Sequence, residues 1–238
     1  APMISSIFYC VPRDRWEEVK TVYDRAAAEI GKDVPIVVAN DGDVSALAGA
    51  MGMGCGSIMG LAMGTSEAVG YVDKDMNVLG WISELAFAPV DLAEGAMQDE
   101  WSTDIGVGCK YFSQDAVIKL APRAGIQLDE SLTPAEKLKV VQGLMKEDDP
   151  RAAKVYESIG CYLGHTLAYY YELYGNKYVL LLGRVMSGKG GDLLLETCQK
   201  VLNDEYPEAA AAVKLTLPDE KFRRVGQSMA AASLAESK

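Results

Sequence analysis

The sequence predicts an α/β protein in which strands alternate with helices. Residues 34–39 form an uninterrupted apolar run rich in β-branched side chains, which is typical of a strand buried on both faces. Residues 4–11 form another apolar run, and residues 15–30 between them carry apolar side chains at helical spacing. Short connections between strand, helix and strand favour a βαβ unit with parallel strands. The chain has 238 residues, of which 49% are hydrophobic, so it can bury a substantial core.

The middle of the chain continues this alternation. An Ala- and Gly-rich helix is expected over residues 44–53, capped by Asp43 or Ser45, because small side chains allow close packing. Strands are predicted over residues 58–63 and 68–72 on either side of a glycine-containing turn.

The second half is predicted to be mainly helical. A helix is expected over residues 114–124, and another begins at Pro134 behind a capping box formed by Thr133 and Glu136. A long helix begins at Asp149-Pro150 and ends at Gly175. The rest is predicted as a buried strand over 178–182, a glycine-bearing loop over 183–191, a helix over 192–204, a short strand over 213–217 and a closing helix over 219–235.

Asn40 and Asp41 directly follow the predicted strand over residues 34–39. The ends of strands in open α/β sheets display reactive groups, so we expect the Asp41 carboxylate to point into a crevice. There it can position an acceptor hydroxyl and take its proton during phosphoryl transfer. The same stretch is also compatible with an ordinary helix-capping turn.

The turn Gly64-Thr65-Ser66 offers backbone N–H groups and two hydroxyls to a phosphate group. Glu67, the next residue, opposes this interpretation, since a carboxylate repels a polyphosphate unless a metal ion intervenes. A β-hairpin turn without a ligand therefore remains an alternative.

Taken in this order, the motifs resemble those of the ROK sugar kinases, a family within the actin-like ATPase superfamily. The residues that carry the resemblance are Asn40-Asp41, Ala46-Leu47-Ala48, Gly64-Thr65, Gly80 with Glu84, and Gly183. The resemblance implies a ribonuclease-H-like fold with a mixed sheet flanked by helices. It also implies that residues 1–41 are a remnant of the N-terminal lobe and residues 42–238 the C-terminal nucleotide-binding lobe. The family's first phosphate loop, Asp-x-Gly-x-Thr, does not occur in the sequence, so we expect the chain to be the C-terminal part of a longer protein.

The resemblance further implies a role for each site residue. Asp41 would be the general base, with Asn40 and Glu84 as ligands of the sugar hydroxyls. The nucleotide, ATP with Mg²⁺, would be bound by two glycine-containing segments, Gly64, Thr65 and Ser66 in one and Gly183, Arg184 and Val185 in the other.

Two departures from the family pattern bear on the function. The family's Glu-x-Gly-His continues here as Leu85-Ala86-Phe87, without the His, and its zinc-binding Cys-rich stretch is reduced to Gly108-Cys109, so we expect no zinc. These departures and Glu67 favour the alternative function, a non-catalytic sugar- or nucleotide-sensing regulatory protein that keeps the fold.

A second interpretation applies to residues 183–190, Gly-Arg-Val-Met-Ser-Gly-Lys-Gly. They match the Walker A pattern except at Gly190, where Ser or Thr would bind Mg²⁺. An adenosine-binding glycine turn of the actin-like kinases fits the same position, between a late strand and a helix, and we favour it.

Composition limits the partners and the compartment. A net charge of −11 argues against nucleic-acid and anionic-membrane partners. Five cysteines without a C-x-x-C pair indicate neither a disulfide framework nor a zinc site, and they fit a reducing cytoplasm. The uncharged stretch over residues 46–64 contains six glycines, which makes it a poor membrane helix. Tyr-rich and Ala-rich helix faces are compatible with a homodimer, and we expect His165 to be structural.

Overall fold

A computed structural model describes residues 11–31, 37–79, 83–218, 226 and 228–234. The contacts within the chain divide it into two units, Ala1–Ala39 with Ala231–Lys238, and Asn40–Ala230. Among the described residues, no helix is both long enough and apolar enough to cross a membrane. The proposed division into lobes near residue 41 stays a prediction.

The described part of the first unit contains helices α1, Trp16–Val19, and α2, Val22–Ile30. The sequence predicted one helix over residues 15–30, but Lys20 and Thr21 form a turn. Thr21 has φ −107° and ψ 11°, outside helical values, and a β-branched hydroxyl residue is a weak helix former.

The two strands predicted near the start of the chain fall largely outside the described residues. This holds for residues 4–10, whereas Val11 lies in a bend. Residues 34–36 are also outside, and residues 37–39 have no regular structure, so the predicted strand does not reach Ala39.

The second unit carries the sheet and most of the helices. Its helices and strands are α3 Asp41–Met53, β1 Ile58–Met63, β2 Glu67–Val72, α4 Gln114–Arg123, α5 Pro134–Lys146, α6 Pro150–Tyr174, β3 Tyr178–Leu182, α7 Lys189–Glu205, α8 Pro207–Ala212 and β4 Lys214–Thr216. Most of these agree with the prediction, including the capping box that begins α5. The exceptions are α3 and α7, which each begin three residues early, and α8, which was not predicted. In the described part of the predicted closing helix, residues 228–234 are helical.

The four described strands form one mixed sheet in the order β2-β1-β3-β4. β1 and β2 are an antiparallel hairpin, whereas β1, β3 and β4 run parallel. Because β1 and β3 are parallel, the turn after Met63 and the loop after Leu182 emerge at the same edge of the sheet. The predicted mixed sheet flanked by helices is confirmed.

Helix α3 covers one face of the β1–β2 hairpin, and glycines set the close contact. Gly60 and Gly70 are register partners in the hairpin. A Cβ on Gly70 would lie 2.2 Å from the Gly42 carbonyl carbon, and a Cβ on Gly60 would lie 3.0 Å from Ala46 N. The small side chains predicted for close packing thus let the helix backbone rest on the strands.

The opposite face of the sheet packs against the main hydrophobic core. Alternate residues of β1, namely Met59, Leu61 and Met63, are fully buried there. They pack with apolar side chains from α4, α5, α6 and α7. The core therefore holds the sheet on this face. Helix α3 lies on the other face, and Asn40 and Asp41 at its N-terminus are exposed.

Candidate functional site

The N-terminus of α3 is capped by Asn40. Its backbone is extended, with φ −70° and ψ 140°, and its Oδ1 accepts a hydrogen bond from Gly42 N at 2.8 Å. The prediction that Asp43 or Ser45 caps this helix was wrong, because Asn40 is an equally good cap and already satisfies Gly42 N. Asp43 and Ser45 are instead buried in the first two turns.

Asp41 is therefore the first residue of α3 and does not follow a strand. Its side chain is exposed, and its Oδ1 accepts a hydrogen bond from Gly42 N at 2.9 Å. The helix dipole stabilises a carboxylate at this position. Asp41 is exposed at a helix N-terminus and not at a strand end, and its expected placement in a crevice stays a prediction.

Glu84 lies beside this helix end, although 44 residues separate it from Asn40. Asn40 Nδ2 donates a hydrogen bond to Glu84 Oε1 at 3.4 Å. Partial burial, and secondly the charge of Asp41, raise the pKa of Glu84 above its usual value. The structure thus brings together the three residues predicted to handle the sugar, Asn40, Asp41 and Glu84.

Asp43 is a fourth polar residue of this group, and the sequence analysis assigned it only a capping role. It is 8% exposed, and burial raises its pKa to about 6. A hydrogen bond donated by Tyr71 N opposes this rise, and the charges of Glu84 and Asp41 add to it. Asp43 is three residues after Asn40, so the two lie on the same side of the helix. The sequence indicates this only when the helix is known to begin at Asp41.

Two backbone hydrogen bonds hold Gly64 in the turn between β1 and β2. Gly64 N donates to Ser66 O at 3.0 Å, and Gly64 O accepts from Gln114 N at 2.9 Å. Thr65 and Ser66 are exposed at the tip. The N-terminus of α4, capped by Ser113, therefore lies beside the turn.

The register of the β1–β2 hairpin relates the start of α3 to the turn. The backbone oxygen of Val69 lies 2.5 Å from a Cβ placed on Gly42, and Val69 is the register partner of Leu61. Gly64 follows Leu61 by three residues, which is about 10 Å along a strand.

The Gly183 loop meets the turn at the sheet edge. Gly183 has φ 95°, which favours glycine, and a Cβ there would lie 2.2 Å from Met63 O. Gln142 Nε2 donates to Arg184 O at 2.8 Å, the Arg184 side chain is exposed, and Val185 is fully buried in the core. The loop backbone thus lies against the end of β1, directly before the turn.

The contacts of Lys189 speak against a phosphate-binding Walker A loop. Its Nζ pairs with Asp148 Oδ1 at 2.6 Å and lies 3.3 Å from Lys146 O at the end of α5. A Cβ on Gly190 would lie 2.4 Å from the Tyr156 ring, so helix packing explains this glycine. The adenosine-binding glycine turn that we favoured at this position stays a prediction.

Solved structures resemble the chain over most of its length. It matches the ROK hexokinase from Thermus thermophilus with a TM-score of 0.65 and 20% identity, over 86% of this chain and 67% of that one. It matches a ROK family glucokinase from Streptomyces griseus, solved in complex with glucose and AMPPNP, with a TM-score of 0.70 and 18% identity, over 91% and 72%. It matches a ROK family transcriptional regulator, a homolog of the E. coli MLC protein, with a TM-score of 0.67 and 18% identity, over 86% and 54%.

The chain has the fold of the ROK proteins. Neither a family model nor a curated protein matches its sequence. At identities of 18–20% the likeness shows the ROK fold, which kinases and a regulator share.

The segment after Glu84 is the part in which the sequence departs from the ROK pattern. Lys110 lies in this segment, and its ammonium group is buried. Its Nζ lies 3.2 Å from Asp99, 2.5 Å from Glu100 and 2.8 Å from Asp115. Burial disfavours this charge, but the hydrogen bonds of Asp115, Glu100 and Asp99 outweigh it and raise the pKa of Lys110. An ion-pair cluster therefore holds this segment in place. The expected absence of zinc stays a prediction.

Proposed function

We propose that the protein transfers the γ-phosphoryl group of ATP to a sugar hydroxyl. The observation that carries the proposal is the meeting of Asn40, Asp41 and Glu84 at one helix end, which packs on the hairpin that carries the Gly64–Ser66 turn. The ROK fold, found also in a hexokinase and a glucokinase, supports it.

Asp41 would act as the general base. Its exposed carboxylate takes the proton of the acceptor hydroxyl while the hydroxyl oxygen bonds to the γ-phosphorus, and ADP leaves. Asn40 and Glu84 would hold neighbouring hydroxyls, one as a donor and the other as an acceptor. The hydrogen bond between them, 3.4 Å long, leaves both side chains free to exchange partners with a sugar.

The phosphates would bind at the sheet edge. Gly64, Thr65 and Ser66 offer N–H groups and hydroxyls, and the backbone of Gly183 and Arg184 forms the neighbouring wall. The exposed Arg184 guanidinium suits a phosphate oxygen in a chain of net charge −11. Mg²⁺ bound with ATP would neutralise charge on the transferring group.

A regulatory protein that senses sugar or nucleotide is the second candidate. A ROK transcriptional regulator matches the chain as well as the kinases do, with a TM-score of 0.67. In that case the site binds its ligand without turnover.

ADP release by the full-length protein with Mg-ATP, across a panel of hexoses and amino sugars, distinguishes the two candidates. We expect sugar-dependent release that falls by at least about a thousandfold in Asp41→Asn, because the hydroxyl loses its base. Asp75→Asn, which changes an exposed carboxylate in the turn after β2, is the matched control and should keep the activity. Sugar or nucleotide binding without release would favour the regulator.

A further inference from the structure

Glu67 opens β2, and its carboxyl group is buried. The residue is 5% exposed, and neither Oε1 nor Oε2 has a hydrogen-bond partner among the described residues. A buried, unpaired carboxylate is costly, and a buried neutral carboxyl still needs a partner for its O–H group. Glu67 therefore requires both a proton and an acceptor.

The backbone around Gly108 and Leu85 provides that acceptor. A Cβ on Gly108 would lie 2.2 Å from Glu67 Oε2 and 3.0 Å from Leu85 O, so the two oxygens are at most about 5 Å apart. The Tyr170 hydroxyl donates to the same Leu85 oxygen at 3.5 Å. Leu85 O is thus a hydrogen-bond acceptor near the Glu67 carboxyl group.

Two titratable neighbours of Glu67 are neutral groups. They are the thiol of Cys109, on the turn that contains Gly108, and the hydroxyl of Tyr170 on α6. Burial raises the pKa of Glu67 well above its usual value, and burial also raises the pKa values of Cys109 and Tyr170. The ion pairs of the described residues do not include Glu67, so the surroundings favour its neutral form.

Leu85 connects this buried group to the surface site. It follows Glu84 directly, and its carbonyl accepts Ala88 N at 2.9 Å in a 3-10 turn over Leu85–Phe87. Glu67 therefore lies under the segment that carries Glu84, and one residue after the Gly64–Ser66 turn.

We propose that Glu67 is a positioning residue for the sugar site, which as a neutral carboxylic acid donates a hydrogen bond to the Leu85 carbonyl and holds Glu84 beside Asn40. This proposal rests on the proposed function in one respect, since it takes Glu84 to be a sugar ligand. It also explains how an acidic residue can follow a phosphate-binding turn, because a neutral carboxyl group does not repel phosphate.

Two variants of the full chain separate hydrogen bonding from packing. Glu67→Gln keeps a donor of the same shape, and Glu67→Met keeps the length but cannot donate. We expect Glu67→Gln to retain the wild-type KM for the sugar, and Glu67→Met to raise it about tenfold with little change in kcat. Amide hydrogen exchange of Phe87 and Ala88 reports how often this turn opens, and it needs no sugar. It should accelerate only in Glu67→Met.

Infrared spectroscopy tests the protonation state directly. The difference spectrum of wild type and Glu67→Gln at pH 7 should contain the carbonyl band of a protonated carboxylic acid. A carboxylate band in its place would overturn the proposal, and so would equal KM values and exchange rates for the two variants. If the wild type neither binds nor phosphorylates a sugar, the proposed function fails and the sugar-positioning role fails with it. The infrared band and the exchange rates then still decide whether neutral Glu67 holds the Leu85 turn.

Discussion

Asp43 shows how one residue in the first turn of α3 links the site to stability. Its carboxyl group is buried between α3 and β2, where Tyr71 N donates to it, while the charges of Asp41 and Glu84 oppose its ionisation. Its folded-state pKa of about 6 lies above the value of 3.8 for a free side chain. The folded protein therefore holds this proton more tightly than the unfolded chain does.

The first prediction concerns Asp43→Asn. In the wild type the contribution of Asp43 is fully present below pH 4 and is lost as the pH rises to about 6, because only the unfolded chain releases the proton in that window. Asn can still accept from Tyr71 N and carries no charge, so we expect the variant to be more stable at pH 7 by about 1–3 kcal/mol. Urea unfolding at pH 4, 5, 6 and 7 measures this.

The control for Asp43→Asn is Asp75→Asn, which should keep the wild-type pH dependence of the free energy of unfolding. If the stability gained by Asp43→Asn over the wild type did not grow between pH 4 and 6, the assigned direction of the Asp43 pKa would be wrong.

At the scale of elements, the position of α3 on β2 determines where Asn40 and Asp41 lie. The two backbones touch at Gly42 and Gly70, where neither side leaves room for a Cβ. A helix held this closely cannot shift without moving its capped end. The glycines of this hairpin are therefore part of the site, although they would contact no ligand.

Gly70→Ala tests this contact. The new methyl group would lie 2.2 Å from backbone atoms of Gly42, which cannot yield as a flexible side chain would, so we expect a loss of roughly 2–4 kcal/mol in the free energy of unfolding. We also expect weaker sugar binding in the folded fraction. Thermal and denaturant unfolding measure the first effect, and calorimetric titration with sugar measures the second.

Gly143→Ala is the matched control, because Gly143 is inside α5 with nothing within 4 Å of a Cβ. It should stabilise the protein by about 0.5–1 kcal/mol. If Gly70→Ala and Gly143→Ala changed the free energy of unfolding equally, the α3–β2 contact would have no special role.

At the scale of the whole molecule, Lys110 holds the long connection between β2 and α4. Its ammonium group is buried with Asp99 and Glu100 of the connection and with Asp115 of α4. Hydrogen bonds from Lys110, and secondly from Lys119, lower the pKa of Glu100 to about 2. One cation thus stabilises the segment between Glu84 and the helix beside the Gly64–Ser66 turn.

Lys110→Met removes this cation and leaves the buried Asp99 unpaired. We expect a loss of about 3–5 kcal/mol at pH 7. Because the pKa values of Asp99 and Glu100 are lowered, their contribution is present above the unfolded values and is lost as the pH falls toward 2, so the difference from wild type should shrink there. Unfolding curves at pH 3 and pH 7 check this.

Lys119→Met removes only the exposed pair with Glu100 and should cost less than about 1 kcal/mol. If Lys119→Met lowered the free energy of unfolding as much as Lys110→Met, Lys110 would not be the main stabilising cation of this cluster.

Local signals predicted most of the second unit. The capping box at Thr133, the Asp149-Pro150 start and the Gly175 end of α6 each depend on neighbouring residues, so the sequence alone identifies them. Helix α8 was missed because its Pro207 start lies only two residues after the end of α7.

The site was only partly predictable, for a physical reason. Asn40, Asp41 and Glu84 were singled out, but the start of α3 was misplaced, since Asn40, Asp43 and Ser45 are all good caps and tertiary contact with β2 decides among them. The burial of Asp43 beside Tyr71 and of Glu67 beside Gly108 depends on contacts between residues far apart in sequence. No local pattern reveals those contacts.

The most direct test of the account is phosphorus-31 NMR of the full-length protein with Mg-ATP and each sugar of the panel. We predict a sugar phosphate ester signal that grows with the ADP signal in the wild type, and that is absent in Asp41→Asn although this variant still binds the sugar. ADP without the ester, or an ester signal of equal rate in Asp41→Asn, would contradict a sugar kinase with Asp41 as its base.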